Sequence, residues 1–399
     1  MANKVANVDD VTGAFNGSVV ADRTQPKLRR APSVQAMSTE MLRSHLRRLP
    51  DEVSVVAEPA VGGDSRGDSE TSFAPMGRAS VGAGAVTAMA ANPFDGRLFV
   101  ADYAADAVTV LDGHTLNVVS TIAGVPEPYT LAVAQGRAYV SALDCGHDVV
   151  AVLDTESVVD SYPLADAVQD IVADREGRFV YVARSSRDGT DLAVINTMSG
   201  HVSTVALASR VGEVANTLRL SGDGRTLFVA TTDQLGGRLL AVSTAELRVV
   251  DSITVVEPIR GFAVSHDGRT VWVATDDANG GGLVDALDMR SHRVMGTVSL
   301  RSSVRQVMLS ALGDRVYAVT DEAVTAVCTN THEVLDGINT GSAPSCVAES
   351  ADGSRLYVAD YEGRVALYSV ASATPSMLAR MATPEALAGP AVRELAVSV

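Results

Sequence analysis

The chain has 399 residues, 46% of them hydrophobic, with 32 Lys or Arg against 48 Asp or Glu and a formal charge of −16. Such length and apolar content argue against a disordered chain or one that needs covalent staples, and the acidity argues against a surface for duplex nucleic acid, which requires clustered cations. Cys145, Cys328 and Cys346 form no CxxC pair, so neither a disulfide framework nor a structural zinc site is expected.

In chain order, residues 1–36 are polar and aperiodic, and 37–49 predict a short helix with Met41, Leu42, His45, Leu46 and Leu49 at helical spacing and Ser38 as cap. Residues 22–48 carry a local charge of +5 from Arg23, Lys27, Arg29, Arg30, Arg43, Arg47 and Arg48 against Asp22 and Glu40. The sign then reverses: 51–70 hold six acids against Arg66 and include GGDSRGDSE, a flexible linker by composition. Residues 1–83 therefore read as an N-terminal arm, either docked or partner-binding through Arg29, Arg30, Arg43, Arg47 and Arg48. The start of the chain lacks a basic segment followed by an apolar run, and no apolar run approaches the ~20 residues of a membrane span. A cytoplasmic protein without a transmembrane segment is expected, with peripheral envelope association or non-classical export left open.

From residue 84 the chain repeats. DGRLFVAD (95–102), QGRAYVSA (135–142), EGRFVYVA (176–183), DGRTLFVA (223–230), DGRTVWVA (267–274), LGDRVYAV (312–319) and DGSRLYVAD (352–360) place Phe99, Tyr139, Tyr181, Phe228, Trp272, Tyr317 and Tyr357 at a mean spacing of 43 residues. Each copy holds a first strand, a DG-type turn, the aromatic strand, a third strand such as VTVLD (108–112) and a Val-rich fourth. Four short strands at that period predict a blade, so residues 84–399 are expected to form an all-β, seven-bladed β-propeller of four-stranded antiparallel blades. The aromatics are expected in the core between blades, and Asp112, Asp154, Asn196 and Asp288, which end third strands, are expected to cap turns. For closure three segments compete: AVTAMAA (85–91) as the opening first strand, the strand-like AVRELAVSV (391–399), or SVVAE (54–58) on the last blade.

The run from Asp95-Gly96-Arg97-Leu98-Phe99-Val100-Ala101 through Val108, Val110, Asp112, Thr115, Val118, Val119, Thr121, Ile122 and Gly124 resembles the repeat of the YVTN-type β-propeller family of surface-layer and lactonase-like proteins, and YVAD (357–360) is its nearest tetrad. The resemblance covers about 84–370. With its basic-then-acidic arm, the whole chain also resembles mycobacterial seven-bladed propeller proteins associated with envelope-stress regulation. The family implies the propeller fold and no single activity. Its metal-dependent lactonases place Glu, Asp and Asn oxygens round the axis, for which Glu127, Asp170, Glu213, Asn216, Glu257 and Glu394 lie near first strands here. Their offsets do not coincide, so no metal shell, catalytic residue or cofactor is predicted.

Arg260 and Arg305 occupy equivalent repeat positions and, with Glu127, Asn216 and Glu257, are candidates for a small anion or sugar in the central funnel. The histidines form no HxH or HExxH, and there is no GxSxG elbow or GxxxxGK[ST] loop. Residues 184–191, 231–238 and 275–282 lengthen the second-to-third-strand connection on three consecutive blades and offer Asp188, Asp233, Asp276 and Asp277 to a partner. The expected function is a non-enzymatic scaffold presenting a protein- or ligand-binding face, in envelope or stress physiology. Funnel binding of an anion or sugar, and metal-dependent hydrolysis, are the alternatives.

Overall fold

In the computed structural model, Gly96, Gly136, Gly177, Gly224, Gly268, Gly313 and Gly353 sit at φ between 63° and 75°, the left-handed region in which a Cβ is strained. Each glycine turns a first strand back into the strand that carries the aromatic. The structure describes residues 73–371 except 83, 165–166, 187–188, 208–209, 211 and 278, together with 393–394.

A strand from the N-terminal side, β1 (Phe73–Ser80), precedes the blades. Blade one comprises β2 (Val86–Ala91), β3 (Arg97–Asp102), β4 (Ala107–Asp112) and β5 (Val118–Ala123). Blade two comprises β6 (Leu131–Ala134), β7 (Arg137–Asp144), β8 (His147–Leu153) and β9 (Val158–Pro163), and blade three β10 (Ala167–Ala173), β11 (Phe179–Ser185), β12 (Thr190–Asn196) and β13 (His201–Ala206). Blade four is β14 (Val214–Leu220), β15 (Thr226–Asp233), β16 (Gly236–Ser243) and β17 (Arg248–Val255), and blade five β18 (Gly261–Val264), β19 (Thr270–Asp276), β20 (Gly282–Asp288) and β21 (Arg293–Leu300). Blade six is β22 (Val304–Leu309), β23 (Arg315–Thr320), β24 (Val324–Cys328) and β25 (Val334–Ile338). Blade seven takes β26 (Pro344–Glu349), β27 (Arg355–Asp360) and β28 (Arg364–Val370) from the C-terminal side and β1 as its outer strand. All pairings within the blades are antiparallel, as the sequence predicts.

Closure uses a segment that was not among the three expected ones. β1 pairs with β28 from Phe73↔Val370 to Ser80↔Arg364, so part of the stretch assigned to the arm belongs to the propeller. Val86–Ala91 is the opening first strand, while β29 (Arg393–Glu394) adds to the outer edge of blade five beside β21. The expected helix at 37–49, SVVAE at 54–58 and the arm arginines Arg29, Arg30, Arg43, Arg47 and Arg48 lie outside the described residues.

Seven hydrophobic clusters make the core, one at each junction between neighbouring blades. Each second-strand aromatic is buried against the following blade. Phe99 packs with Leu131 and Val140, Phe228 with Phe262 and Val273, and Tyr357 crosses the ring closure to Leu98 and Val100. Such a ring contributes about 1.5–3 kcal/mol by burial. The tyrosines also bond across the junction: Tyr357 Oη donates to the Gly113 carbonyl at 2.7 Å and Tyr317 Oη to Glu349 Oε1 at 2.7 Å. Asp112, Asp154, Asn196 and Asp288 cap third-strand turns, each accepting from the N–H groups two and three residues on. Among the described residues no helix is long and apolar enough to cross a membrane.

Candidate functional site

The first strands of all seven blades surround an axial cavity of about 320 Å³. Because strands are short and aligned, its wall is built in tiers. The upper tier comes from a β-bulge, where one residue of the first strand has no partner on the second. The register slips at Thr87, Gln169, Asn216, Arg305 and Ser345, a bulge re-aims the side chain it carries, and Thr87, Asn216 and Arg305 line the cavity. Below it, Asp170 ties three blades together. Its Oδ1 accepts from Thr130 Oγ1 at 2.8 Å, and its Oδ2 accepts from the Leu218 N–H at 2.8 Å and Arg219 Nη1 at 3.2 Å. Gln306 Oε1 likewise accepts from the Val347 N–H of the next blade at 2.9 Å.

The lower tier falls at the level of the residue opposite each aromatic, Ala90, Ala132, Val172, Arg219, Ala263, Met308 and Ala348, of which Ala90, Arg219, Met308 and Ala348 line the cavity. Six are aliphatic or thioether side chains and one is a guanidinium. Arg219 was absent from the sequence candidates, yet the signal was there. It stands nine residues before Phe228, an offset at which most copies carry Ala, Val or Met.

The candidates named from sequence are distributed differently. Asn216 and Arg305 line the cavity. Arg260 does not, although register bears out its equivalence to Arg305, since each bonds the matching carboxylate at the end of its blade's second strand. Arg260 Nε lies 2.6 Å from Asp276 Oδ2, and Arg305 Nε pairs with Asp321 while its guanidinium lies 5.7 Å from the Tyr361 ring centroid. Asn216 Nδ2 donates to Thr232 Oγ1 at 2.8 Å and to the Ile259 carbonyl at 3.2 Å. Glu127 accepts from Tyr103 Oη at 3.0 Å and Glu257 is exposed, and neither lines the cavity. Glu213 is held by Arg238 and Thr231, and Glu394 sits on β29.

Antiparallel order puts the second-to-third-strand turns and the inter-blade connections on one face. The three lengthened connections lie there, but in blade four the added residues extend the ladder instead of a loop: β15 and β16 are joined by Gln234 and Leu235 alone. Asp233 accepts from the Leu235 N–H and lies 3.6 Å from Arg210 Nη1. Asp276 also accepts from Ser303 Oγ at 2.5 Å, and Asp277 caps its turn through the Asn279 and Gly281 N–H groups. These carboxylates are thus engaged within the fold. Asp188 lies outside the described residues.

The thiols are poor nucleophiles. Exposed Cys145 has its pKa pushed up by the hydrogen bond and negative charge of Asp144, Cys328 is buried, and burial pushes Cys346 up to about 12. Among the described residues no three His, Cys, Asp or Glu side chains gather as a metal shell.

At the opposite end of the cavity wall, burial raises the Glu349 carboxyl above its ordinary value of 4.5, against the lowering effect of bonds from the Ala311 N–H and Tyr317 Oη. A carboxyl raised in the folded state holds its proton longer there than in the unfolded chain. Its contribution to stability is whole below the unfolded value and is lost as pH rises through the folded one. Calorimetry of Glu349→Gln is therefore expected to show a melting temperature that gains on the wild type between pH 4 and pH 7. An unchanged difference would mean that this carboxyl titrates normally.

Seven four-stranded blades, the fifth extended by β29, ringed about a polar axial cavity define a seven-bladed β-propeller whose exposed turns are available for recognition. No family model matches the chain. It is 32% identical over 312 residues to the seven-bladed beta-propeller protein Rv1057 of Mycobacterium tuberculosis, covering 69% of this chain and 79% of that protein. A seven-bladed beta-propeller protein of Mycolicibacterium smegmatis is 36% identical over 69 residues, 17% of this chain and 19% of that one. The chain belongs to the family of mycobacterial seven-bladed β-propeller proteins. Hydrazine synthase from Kuenenia stuttgartiensis shares the fold at 19% identity, with a TM-score of 0.66 over 73% of this chain and 97% of that one.

Proposed function

We propose that the chain is a non-catalytic binding propeller, acting in envelope or stress physiology, that docks a protein on the face bearing the second-to-third-strand turns. The observation that supports this reading is the blade-four hairpin. Leu235 at its tip is 78% exposed, and Val256, 63% exposed, follows β17 beside it. The two segments are in close contact, since a Cβ on Gly236 would come within 2.3 Å of the Val256 carbonyl oxygen. Scattered exposed aliphatics are ordinary, but Leu235 in the two-residue turn of an eight-residue β-ladder, with Val256 directly after the adjoining strand, is pre-organised, which lowers the entropy cost of binding. Exposed Glu257 beside the pair, in a chain of charge −16, favours a partner with an apolar pocket and a basic rim.

A photo-crosslinking residue in place of Leu235 is expected to trap a discrete partner in cells, and Val256→Asp to abolish the adduct. The same residue in place of Leu312, 64% exposed on the opposite face, is expected to give none. Equal trapping from both positions, or none from 235, would remove the hairpin from the reading.

A further inference from the structure

Beyond protein docking, the geometry points to the lower tier of the axial cavity as a binding site for a small monocarboxylate, with Arg219 as its anchor. A guanidinium is costly to place among apolar groups and persists where something holds it. Here Arg219 stands level with Ala90, Met308 and Ala348, which line the same cavity. Nη1 is fixed twice, by Asp170 Oδ2 at 3.2 Å and by the Leu218 carbonyl at 2.6 Å. Asp170 is itself saturated by Thr130 Oγ1 and the Ile171 and Leu218 N–H groups, so it orients the arginine without being free to meet a ligand. Nε and Nη2 make no hydrogen bond among the described residues, and the side chain keeps 31% of its exposure. The Thr217 hydroxyl, on the same strand and lining the same cavity, also has no partner among them.

The chemistry of the occupant follows. One open edge of a planar fork suits the two oxygens of a carboxylate. The neighbouring Asp170 charge leaves too little positive potential for a dianion. Met89, Met308, Ala90 and Ala348 supply an apolar wall for a short hydrocarbon body. The upper-tier arginine, Arg305, is occupied by Asp321 and Tyr361 and is not the anchor.

The test is calorimetric titration of the full chain with sodium butyrate, and separately with inorganic phosphate. Butyrate is expected to saturate the wild type. Arg219→Lys, which keeps the charge but loses the fork, is expected to weaken it about tenfold or more, and Arg219→Gln to remove saturable heat. Arg225→Gln, an exposed turn arginine, is expected to bind like the wild type and controls for surface charge. Equal affinity in wild type and Arg219→Lys, no saturation by butyrate, or tighter binding of phosphate would each overturn the proposal. Should both Arg219 variants fail to fold, competition by butyrate for wild-type labelling of Arg219 by phenylglyoxal decides, since an occupied guanidinium is protected and an empty site is not.

Discussion

Removing residues 1–81 is expected to leave the propeller unable to close, whereas removing 1–72 is expected to leave its melting transition intact. The difference between the two chains is β1. Without it, β28 becomes an unprotected edge and the blade-six to blade-seven junction loses Phe73, which is buried in that cluster with its ring centroid 6.2 Å from that of Tyr317. Loss of a buried Phe side chain alone costs about 3–5 kcal/mol, and an open edge with a torn core also invites pairing with other chains. Size-exclusion chromatography and thermal denaturation of the two truncations check this. A shorter chain that melts like the longer one would show that β1 is dispensable and that another segment seals the ring.

Glu213→Ala is expected to produce the second large effect. Glu213 keeps 1% of its side-chain exposure and Arg238 14%. Arg238 binds both carboxylate oxygens, Nε to Oε1 at 2.7 Å and Nη2 to Oε2 at 2.5 Å, while Thr231 Oγ1 and the Arg210 N–H also donate. Burial works to raise the Glu213 pKa, but the bonds from Arg238, Thr231 and Arg210 outweigh it and the value is lowered. Truncating the carboxylate strands a buried guanidinium, for which the expected loss is about 3–5 kcal/mol in urea denaturation. The double variant Glu213→Leu/Arg238→Met is expected to recover most of it, because the desolvation of both charges disappears together. The lowered pKa adds a sign: the contribution is present above the unfolded value of 4.5 and is lost as pH falls through the folded one, so the wild type and Glu213→Ala should converge in acid. A gap that is independent of pH would assign the loss to packing alone.

Much of the fold was legible because every blade needs the same three things from local sequence: a positive-φ turn, an aromatic that fills the junction to the next blade, and small or branched residues between. Phe99 and Tyr357 announce their strands without reference to anything distant. β1 does not. FAPMGRAS lacks two-residue alternation, and Pro75 and Gly77 flank the point where its register slips. An outer strand with one buried side chain among exposed ones leaves little hydrophobic periodicity, and its partner is at the far end of the chain.

The central funnel was legible in the sequence, but its charge balance was not. Asn216 and Arg305 were singled out near the starts of first strands, yet whether an arginine is free depends on the carboxylate that faces it across the blade, Asp276 for Arg260 and Asp321 for Arg305. Arg219 was missed because it lies deeper in its first strand, past the bulge at Asn216. Comparison at a fixed distance of nine residues before each aromatic exposes it as the charged residue at an offset where most copies carry Ala, Val or Met.

Because the closing blade joins β1, the first described strand, to β28, the order of synthesis matters to this molecule. Ser369 Oγ reaches the Ala74 carbonyl across 295 positions of chain. β1 leaves the ribosome before all the blades, and β28 leaves after the other blades have been made. Six blades can form behind the advancing polypeptide from hairpins of near neighbours, but the seventh waits until β28 has been made. Until then the face of blade six around Tyr317 and Val319 lacks its cover. Long-range closure of this kind is slow compared with hairpin formation, so a nearly complete, open ring is the species in which a newly made chain is most exposed to aggregation or chaperone capture.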